Sequence, residues 1–371
     1  MKSILAMVYL LGLKIKEALY KLGVLKLKSL QCKVISVGNI TAGGTGKTPV
    51  TEYVVKQLSK TGKAAILTRG YKRENKAELL DVKPESSPKE CGDEAVLLAR
   101  KTNVPVIAAV NRYKGGLYAI EKYGVQFCVL DDGFQRRHSL YRNLELLVID
   151  ASNPFGNGKL LPAGILREKM ENLADADMII LTKTNDAVNM KELLAVIQKW
   201  NDHAKIAESI YEPYELYNIF DNNDKLPLSS VGGKKVLALS AIGNPKYFGK
   251  VISGLNPGSI TWLSYPDHYS YSERDIKTIN ENSSLFDIVI TTEKDAVKLE
   301  LLDKTGLSKK IYALNVELKI LKGEKELQDK MNLCGLTSGV SANGIQFIIH
   351  AAFIHGVTSV VFCGILAINN I

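Results

Sequence analysis

The stretch from Val37 to Val50, VGNITAGGTGKTPV, follows an apolar run and precedes a helical pattern, and this succession constrains the fold more than any other feature of the chain. Lys33 to Val37 reads as a buried strand. PVTEYVVKQLSKTG reads as a helix with Val50, Val54 and Leu58 on one face, closed by Gly62. Glycines leave the main chain bare where something must approach it closely, and a helix N-terminus beyond them offers N–H groups and a positive dipole end. A phosphate fits that description. The nearest pattern is G-x-x-x-x-G-K-[ST], in which the lysine reaches the β/γ-phosphates and the hydroxyl ligates Mg²⁺. Gly46, Lys47 and Thr48 match it, while Thr41 stands at the first glycine position. The predicted phosphate-binding residues are Thr41, Ala42, Gly43, Gly44, Thr45, Gly46, Lys47 and Thr48. No G-x-G-x-x-G is present here, so the dinucleotide fingerprint is excluded.

Apolar runs (AAILT, VPVIAAV, QFCVL, ELLVID, MIILT) alternate with helical patterns after this loop, as βαβ units of a parallel sheet require. With 371 residues, 46% of them hydrophobic, two medium cores are expected rather than one. The expected fold is α/β: a P-loop NTPase-like α/β/α sandwich over 30–205 with a second, smaller α/β domain over 206–330. The second domain carries the strands KVLALS, ITWLS, IVITT and IYALNV, and YNIFDNNDKLPLSSVGGKK reads as a surface connection. Cys32, Cys91, Cys128, Cys334 and Cys363 form no C-x-x-C pair, which predicts reduced thiols in a cytosolic protein.

The net charge of +9 is uneven. Residues 1–33 hold seven lysines against Glu17, interleaved with leucines and isoleucines. The apolar opening is too short to span a bilayer and no small-residue cleavage site follows, so residues 1–29 are expected to form a basic amphipathic helix lying in an anionic membrane surface. Nucleic acid is not expected, because arginines and aromatic residues are not interleaved there. Nothing predicts an obligate protein partner. The last 41 residues contain no Asp, Glu, Lys or Arg. A membrane-inserted tail and a non-native extension both fit that composition.

Chemistry gathers at the predicted strand ends, where open α/β sheets bind ligands. FCVLDDG places Asp131 and Asp132 as a Walker B strand would, to hold Mg²⁺. Asp93 and Glu94 open a helix, where a capping role and a catalytic one are both open. Arg69 and Tyr71 end a strand, in position for an anionic or sugar-bearing substrate. Arg167 and Glu168 precede a helix, Thr182 and Lys183 end a strand, and Asp267 and His268 lie in a loop led by Pro266.

VGNITAGGTGKTP, TRGY, GDE, DDGFQ, LLPAGILRE, ALSAIGNP, YPDH and TTEKDAVK together resemble the tetraacyldisaccharide 4'-kinase family, over residues 1 to about 330 in the family's order. The family carries threonine at the position of Thr41. The resemblance implies transfer of the γ-phosphoryl of ATP to the 4'-hydroxyl of tetraacyldisaccharide 1-phosphate, a lipid A precursor, at the cytoplasmic face of the inner membrane. It also implies that Asp93 and His268 form a dyad in which one group takes the hydroxyl proton and the other orients it. Glu94, Asp131, Asp132 and Thr48 are then left for Mg²⁺, Lys47 for the phosphates, and Arg69, Tyr71, Arg136, Arg167 and Glu168 for the substrate. Arg136 stands where the family has a histidine after DDGFQ, as a cationic substitute. The competing class is a nucleotide-switch or partitioning ATPase, whose loop KGGxGKT would place a signature lysine where Ala42 stands.

Overall fold

The computed structural model describes residues 2–303, 307 and 309–336. The charge-free tail expected after residue 330 falls outside the described residues from residue 337 onward. The chain up to Met331 packs as one compact unit around a 13-stranded sheet.

The first half supplies β1 (Lys33–Gly38), β2 (Ala64–Thr68), β3 (Leu79–Val82), β4 (Val106–Ala109), β5 (Phe127–Asp131), β6 (Leu144–Asp150) and β7 (Met178–Thr182). The second supplies β8 (Lys205–Asn218), β9 (Asp221–Leu226), β10 (Lys235–Ser240), β11 (Ser259–Ser264), β12 (Ile288–Thr292) and β13 (Ile311–Lys322). The order is β11-β10-β12-β13-β8-β7-β6-β1-β5-β2-β4-β3, with β9 paired to β8. β1 lies parallel between β5 and β6, with Val37 opposite Asp131 and Gly38 opposite Leu147. This is where the sheet switches direction of growth, so the loop leaving β1 opens over a crevice.

β8 joins the halves. Its first residues run parallel to β7, and from Glu208 to Asn218 it pairs antiparallel with β13. The boundary expected near residue 205 therefore lies at the start of a strand shared by both halves. YNIFDNNDKLPLSSVGGKK is not a plain surface connection. It finishes β8, forms β9 with Tyr217 opposite Lys225, and adds a 3-10 turn at Leu228–Val231. A polar strand exposed on one face gives no apolar alternation to read.

The helices are α1 (Lys2–Lys21), α2 (Lys47–Leu58), α3 (Pro88–Cys91), α4 (Asp93–Thr102), α5 (Arg112–Tyr123), α6 (Met190–Trp200), α7 (Pro245–Ser253), α8 (Glu273–Ser283), α9 (Glu293–Leu299) and α10 (Glu324–Leu336). They cover both faces of the sheet, and β2, β4, β5, β6 and β7 are buried at every residue, as parallel strands covered twice must be. Along β10, Val236 and Ala238 enter one core and Leu237 and Leu239 the opposite one. Val50, Val54 and Leu58 of α2 are all buried. On α1, Ile4, Leu5, Met7, Val8, Leu11 and Ile15 are each at least half exposed. Its inner side is tied down where the Tyr9 hydroxyl donates to the Arg167 carbonyl at 2.8 Å and Lys16 to the Gln135 carbonyl. Among the described residues no helix is long and apolar enough to cross a membrane.

Candidate active site

The loop between β1 and α2 is organised by Asn39, which is fully buried. Its amide nitrogen donates to the Thr41 carbonyl at 2.6 Å and to Thr45 Oγ1 at 2.9 Å. Its Oδ1 accepts from Lys47 Nζ and from Arg167 Nη1, each at 3.3 Å. One short amide thus sets the loop and gathers two cations at its mouth. Gly46 caps α2 with φ 88°, a left-handed conformation that favours glycine, and a Cβ there would fall 1.4 Å from the Tyr211 hydroxyl oxygen. Lys183, at the end of β7, donates to the Gly44 carbonyl at 2.7 Å and pairs with Asp150. The Thr182 hydroxyl donates to the Thr45 carbonyl at 2.8 Å. From the second half, Gly243 approaches so closely that a Cβ would sit 2.6 Å from Gly44 N. Gly43 and Gly44 remain exposed.

The consecutive carboxylates after β5 sit in opposite environments. Asp131 is buried and accepts from the Thr51 and Thr68 hydroxyls, each at 3.3 Å. Burial, reinforced by Glu94 and Asp132, pushes its pKa up to about 7 against the pull of Lys47 and Arg112. Asp132 adopts φ 55° and receives Arg167 in a fork with both contacts at 2.9 Å, with Lys47 at 3.5 Å. Burial works to raise its pKa too, but Lys47 and Arg167 outweigh it and hold the carboxyl well below the usual range. Among the described residues no group of three or more His, Cys, Asp and Glu side chains closes into a metal cluster.

Asp93 and His268, 175 positions apart, meet at 3.1 Å through Oδ2 and Nδ1. The cap of α4 is Gly92, not Asp93, and Asp93 Oδ1 accepts from the Glu94 N–H at 2.9 Å. Burial pushes Asp93 upward, yet His268 and Lys294 more than offset it, so its carboxyl is held below its ordinary value. His268 sits at φ 58° with its N–H donated to the Ala241 carbonyl at 3.2 Å. A bulky residue in that region is strained and persists only where its surroundings fix it. Tyr71 packs edge-on against the imidazole with 5.0 Å between ring centroids. Lys294 Nζ lies 3.1 Å from His268 Nε2, 3.0 Å from Glu94 and 3.5 Å from Asp267.

A single cavity is lined by the loop from Gly43 to Thr48, Glu94, Lys183, Asn244, Tyr247 and Lys294. The structure thus brings the loop, the acids and the Asp93–His268 pair to the same end of the sheet. Arg69 is exposed at the end of β2, and Tyr71 is half exposed over His268. Glu168 is not open to this cavity: it is 2% exposed and its carboxylate accepts from Arg137 at 3.2 Å and Asn172 at 2.7 Å. The Arg136 side chain lies outside the described residues. Two residues at the centre of the arrangement, Asn39 and Lys294, were not singled out from the sequence. Their position two residues beyond a predicted strand was the available signal in both cases.

A mostly parallel sheet with a glycine loop and Lys-Thr at its switch point, faced by paired carboxylates, defines a P-loop-like α/β kinase. The model of the tetraacyldisaccharide-1-P 4'-kinase family matches residues 2–333, and the chain belongs to that family. It is 34% identical over 353 residues to a tetraacyldisaccharide 4'-kinase of Halothermothrix orenii, covering 89% of this chain and 91% of that one. The corresponding protein of Elusimicrobium minutum is 36% identical, covering 86% of each chain. Among solved structures, LpxK from Aquifex aeolicus in complex with ATP superposes with a TM-score of 0.69 at 31% identity, over 89% of this chain and 97% of that one.

Proposed function

We propose that the chain transfers the γ-phosphoryl group of ATP to the 4'-hydroxyl of tetraacyldisaccharide 1-phosphate at the cytoplasmic face of a bacterial inner membrane. The observation that carries this reading is the Asp93–His268 pair, held at 3.1 Å beside the cavity that the glycine loop lines. Phosphoryl transfer asks a protein for position and charge neutralisation more than for covalent work. The amides from Gly43 to Thr48 and the Lys47 ammonium hold the β- and γ-phosphates. Arg167, drawn to the mouth of the loop by Asp132 and Asn39, adds a second cation for charge on the transferred group or the substrate. Arg69 and Tyr71 lie where the sugar headgroup would enter, and Arg136 follows the same acidic loop. The Asp93–His268 pair receives the proton that the hydroxyl loses.

The residues that would hold Mg²⁺ are Thr48, Asp131, Asp132 and Glu94, which offer hard oxygens, with Asp132 held in this structure by Arg167 and Glu94 by Lys294. Bound there, the ion would neutralise β- and γ-phosphate charge. The halves divide the work: the loop and Asp93 come from residues 30–205, His268 and Lys294 from residues 206–330. The exposed apolar side chains and lysines of α1 suit a helix lying in the membrane that holds the lipid substrate.

The switch-ATPase reading lacks both its signature lysine at Ala42 and any use for the Asp93–His268 pair. Incubating the full chain with γ-labelled ATP and tetraacyldisaccharide 1-phosphate in mixed micelles tests the proposal. Label in the lipid supports it, and release of label only as inorganic phosphate refutes it.

A further inference from the structure

Asp295 is fully buried in α9 and takes no part in lining the cavity. A buried carboxylate is costly unless donors surround it, and Asp295 is met from three directions. Its Oδ2 accepts from the Ala241 N–H at 2.9 Å and from the Thr292 hydroxyl at 2.7 Å, while Oδ1 pairs with Lys298 at 3.0 Å. Thr292 is the cap of α9 and accepts in return from the Asp295 N–H at 3.1 Å. Capping accounts for the contact with Thr292, but not for those with Ala241 and Lys298.

Both of those contacts lead to the site. Ala241 directly follows β10 and opens the loop that carries Gly243 against Gly44 and lines the cavity with Ile242 and Asn244. The Ala241 carbonyl also accepts the His268 N–H at 3.2 Å. Lys298 donates to the Tyr269 carbonyl at 3.1 Å, and its ammonium lies 5.2 Å from the centre of the Tyr271 ring. His268, at φ 58°, is therefore gripped on both sides: its own N–H by Ala241, and the next residue's carbonyl by Lys298. Both grips close on the one carboxylate of Asp295.

We propose that Asp295 and Lys298 are positioning residues for the transfer, which hold the His268 loop opposite Asp93 and the Ala241–Asn244 loop against the phosphate loop. This rests on the functional reading above. The two anchors are separable. The one through the Ala241 N–H serves both the nucleotide cavity and His268, whereas the one through Lys298 reaches only the segment that carries His268. Asp295→Asn parts them, because the amide oxygen can still accept from Ala241 and Thr292 while its nitrogen, a donor only, faces the Lys298 ammonium. Asp295→Ala removes both.

The test combines kinetics on the lipid substrate, calorimetry of ATP binding, and the backbone amide signal of His268 in the full chain labelled with 15N-histidine. Lys298→Met and Asp295→Asn should each lower kcat by about 10- to 100-fold, as a small misplacement of reacting groups does, and leave the Kd for ATP nearly unchanged. Both should shift the His268 amide signal, and the double variant should be scarcely slower than the worse single one. Lys298→Arg, which still presents donors to Tyr269 and Asp295, should recover most of the rate. Asp295→Ala should in addition weaken ATP binding by about 10-fold or more. Unchanged turnover by Lys298→Met overturns the proposal, and so does ATP binding weakened as much by Asp295→Asn as by Asp295→Ala. Should Asp295→Ala not fold, Lys298→Met and Asp295→Asn decide by turnover and by the His268 signal. An unsubstituted chain that transfers nothing to the disaccharide sinks the functional reading, while the His268 signal and the ATP affinities still judge the two anchors.

Discussion

The pairing of Asp93 with His268 is best tried by a double-mutant cycle read in both stability and turnover. Asp93→Asn keeps an oxygen for the Glu94 N–H, so the start of α4 should lose no more than about 0.5 kcal/mol. Its amide can neither accept a hydroxyl proton nor stabilise an imidazolium, and kcat should fall by roughly 10²–10⁴. His268→Ala removes a hydrogen bond to a charged group, worth about 1.5–3 kcal/mol, and an edge-on contact with Tyr71, worth about 0.5–1.5 kcal/mol. His268→Asn is the gentler control, because asparagine tolerates the positive φ of 58° at this position. Each catalytic variant should leave the apparent affinity for ATP nearly unchanged. The double variant should turn over scarcely more slowly than the worse single one, since groups acting as a unit are not additive. Thermal melts run beside the kinetics separate lost chemistry from lost fold. Near-normal turnover by Asp93→Asn, or losses that sum cleanly in free energy, would refute the reasoning and leave His268 an ordinary strained loop residue.

Lys47→Ala removes a cation needed most in the transition state and should lower kcat by on the order of 10²–10³, which steady-state kinetics on the folded variant will show. Gly46→Ala forces a Cβ to within 1.4 Å of the Tyr211 hydroxyl in a left-handed conformation, so nucleotide binding measured by calorimetry should collapse. Asp131 keeps its proton to about pH 7 when folded, against about 3.9 when unfolded. The folded state therefore binds more protons between these values, and stability should fall as pH rises from about 4 to about 7 in the absence of metal and nucleotide. Asp131→Asn should flatten that slope in melts at stepped pH. Reversing the exposed Lys2, Lys14 and Lys26 to glutamate should weaken sedimentation with anionic vesicles in a salt-dependent way, by about 1 kcal/mol for each lysine near the surface.

The parallel core was legible because strands buried on both faces must be written as continuous apolar runs, and each such run named from the sequence is a strand of the sheet. β8 and β9 were not, since β8 is only partly buried along most of its length and Asp221–Leu226 is polar up to its final leucine. β8 also pairs by turns with β7 and β13, a continuity that spacing along the chain cannot convey. At the site, the glycine loop and the acidic pair are local and announce themselves. The Asp93–His268 pair needed the family resemblance, because only the fold closes a gap of 175 positions. Asn39 and Lys294 escaped for another reason: a single amide or amine acquires meaning only from what stands within about 3 Å of it. Glu168 is the converse case, a conspicuous charge whose contacts with Arg137 and Asn172 could not be read from the chain.

The measurement closest to the central claim is the position of the new phosphate in the product. Phosphorus–proton correlation NMR on the purified lipid, after turnover with ATP, distinguishes the 4'-oxygen from every other hydroxyl of the disaccharide. The account predicts a phosphorus signal coupled to the 4'-proton, which accumulates at least about 100-fold more slowly when Asp93→Asn replaces the unsubstituted chain. A phosphate on any other oxygen, or an unchanged disaccharide beside hydrolysed ATP, would contradict it.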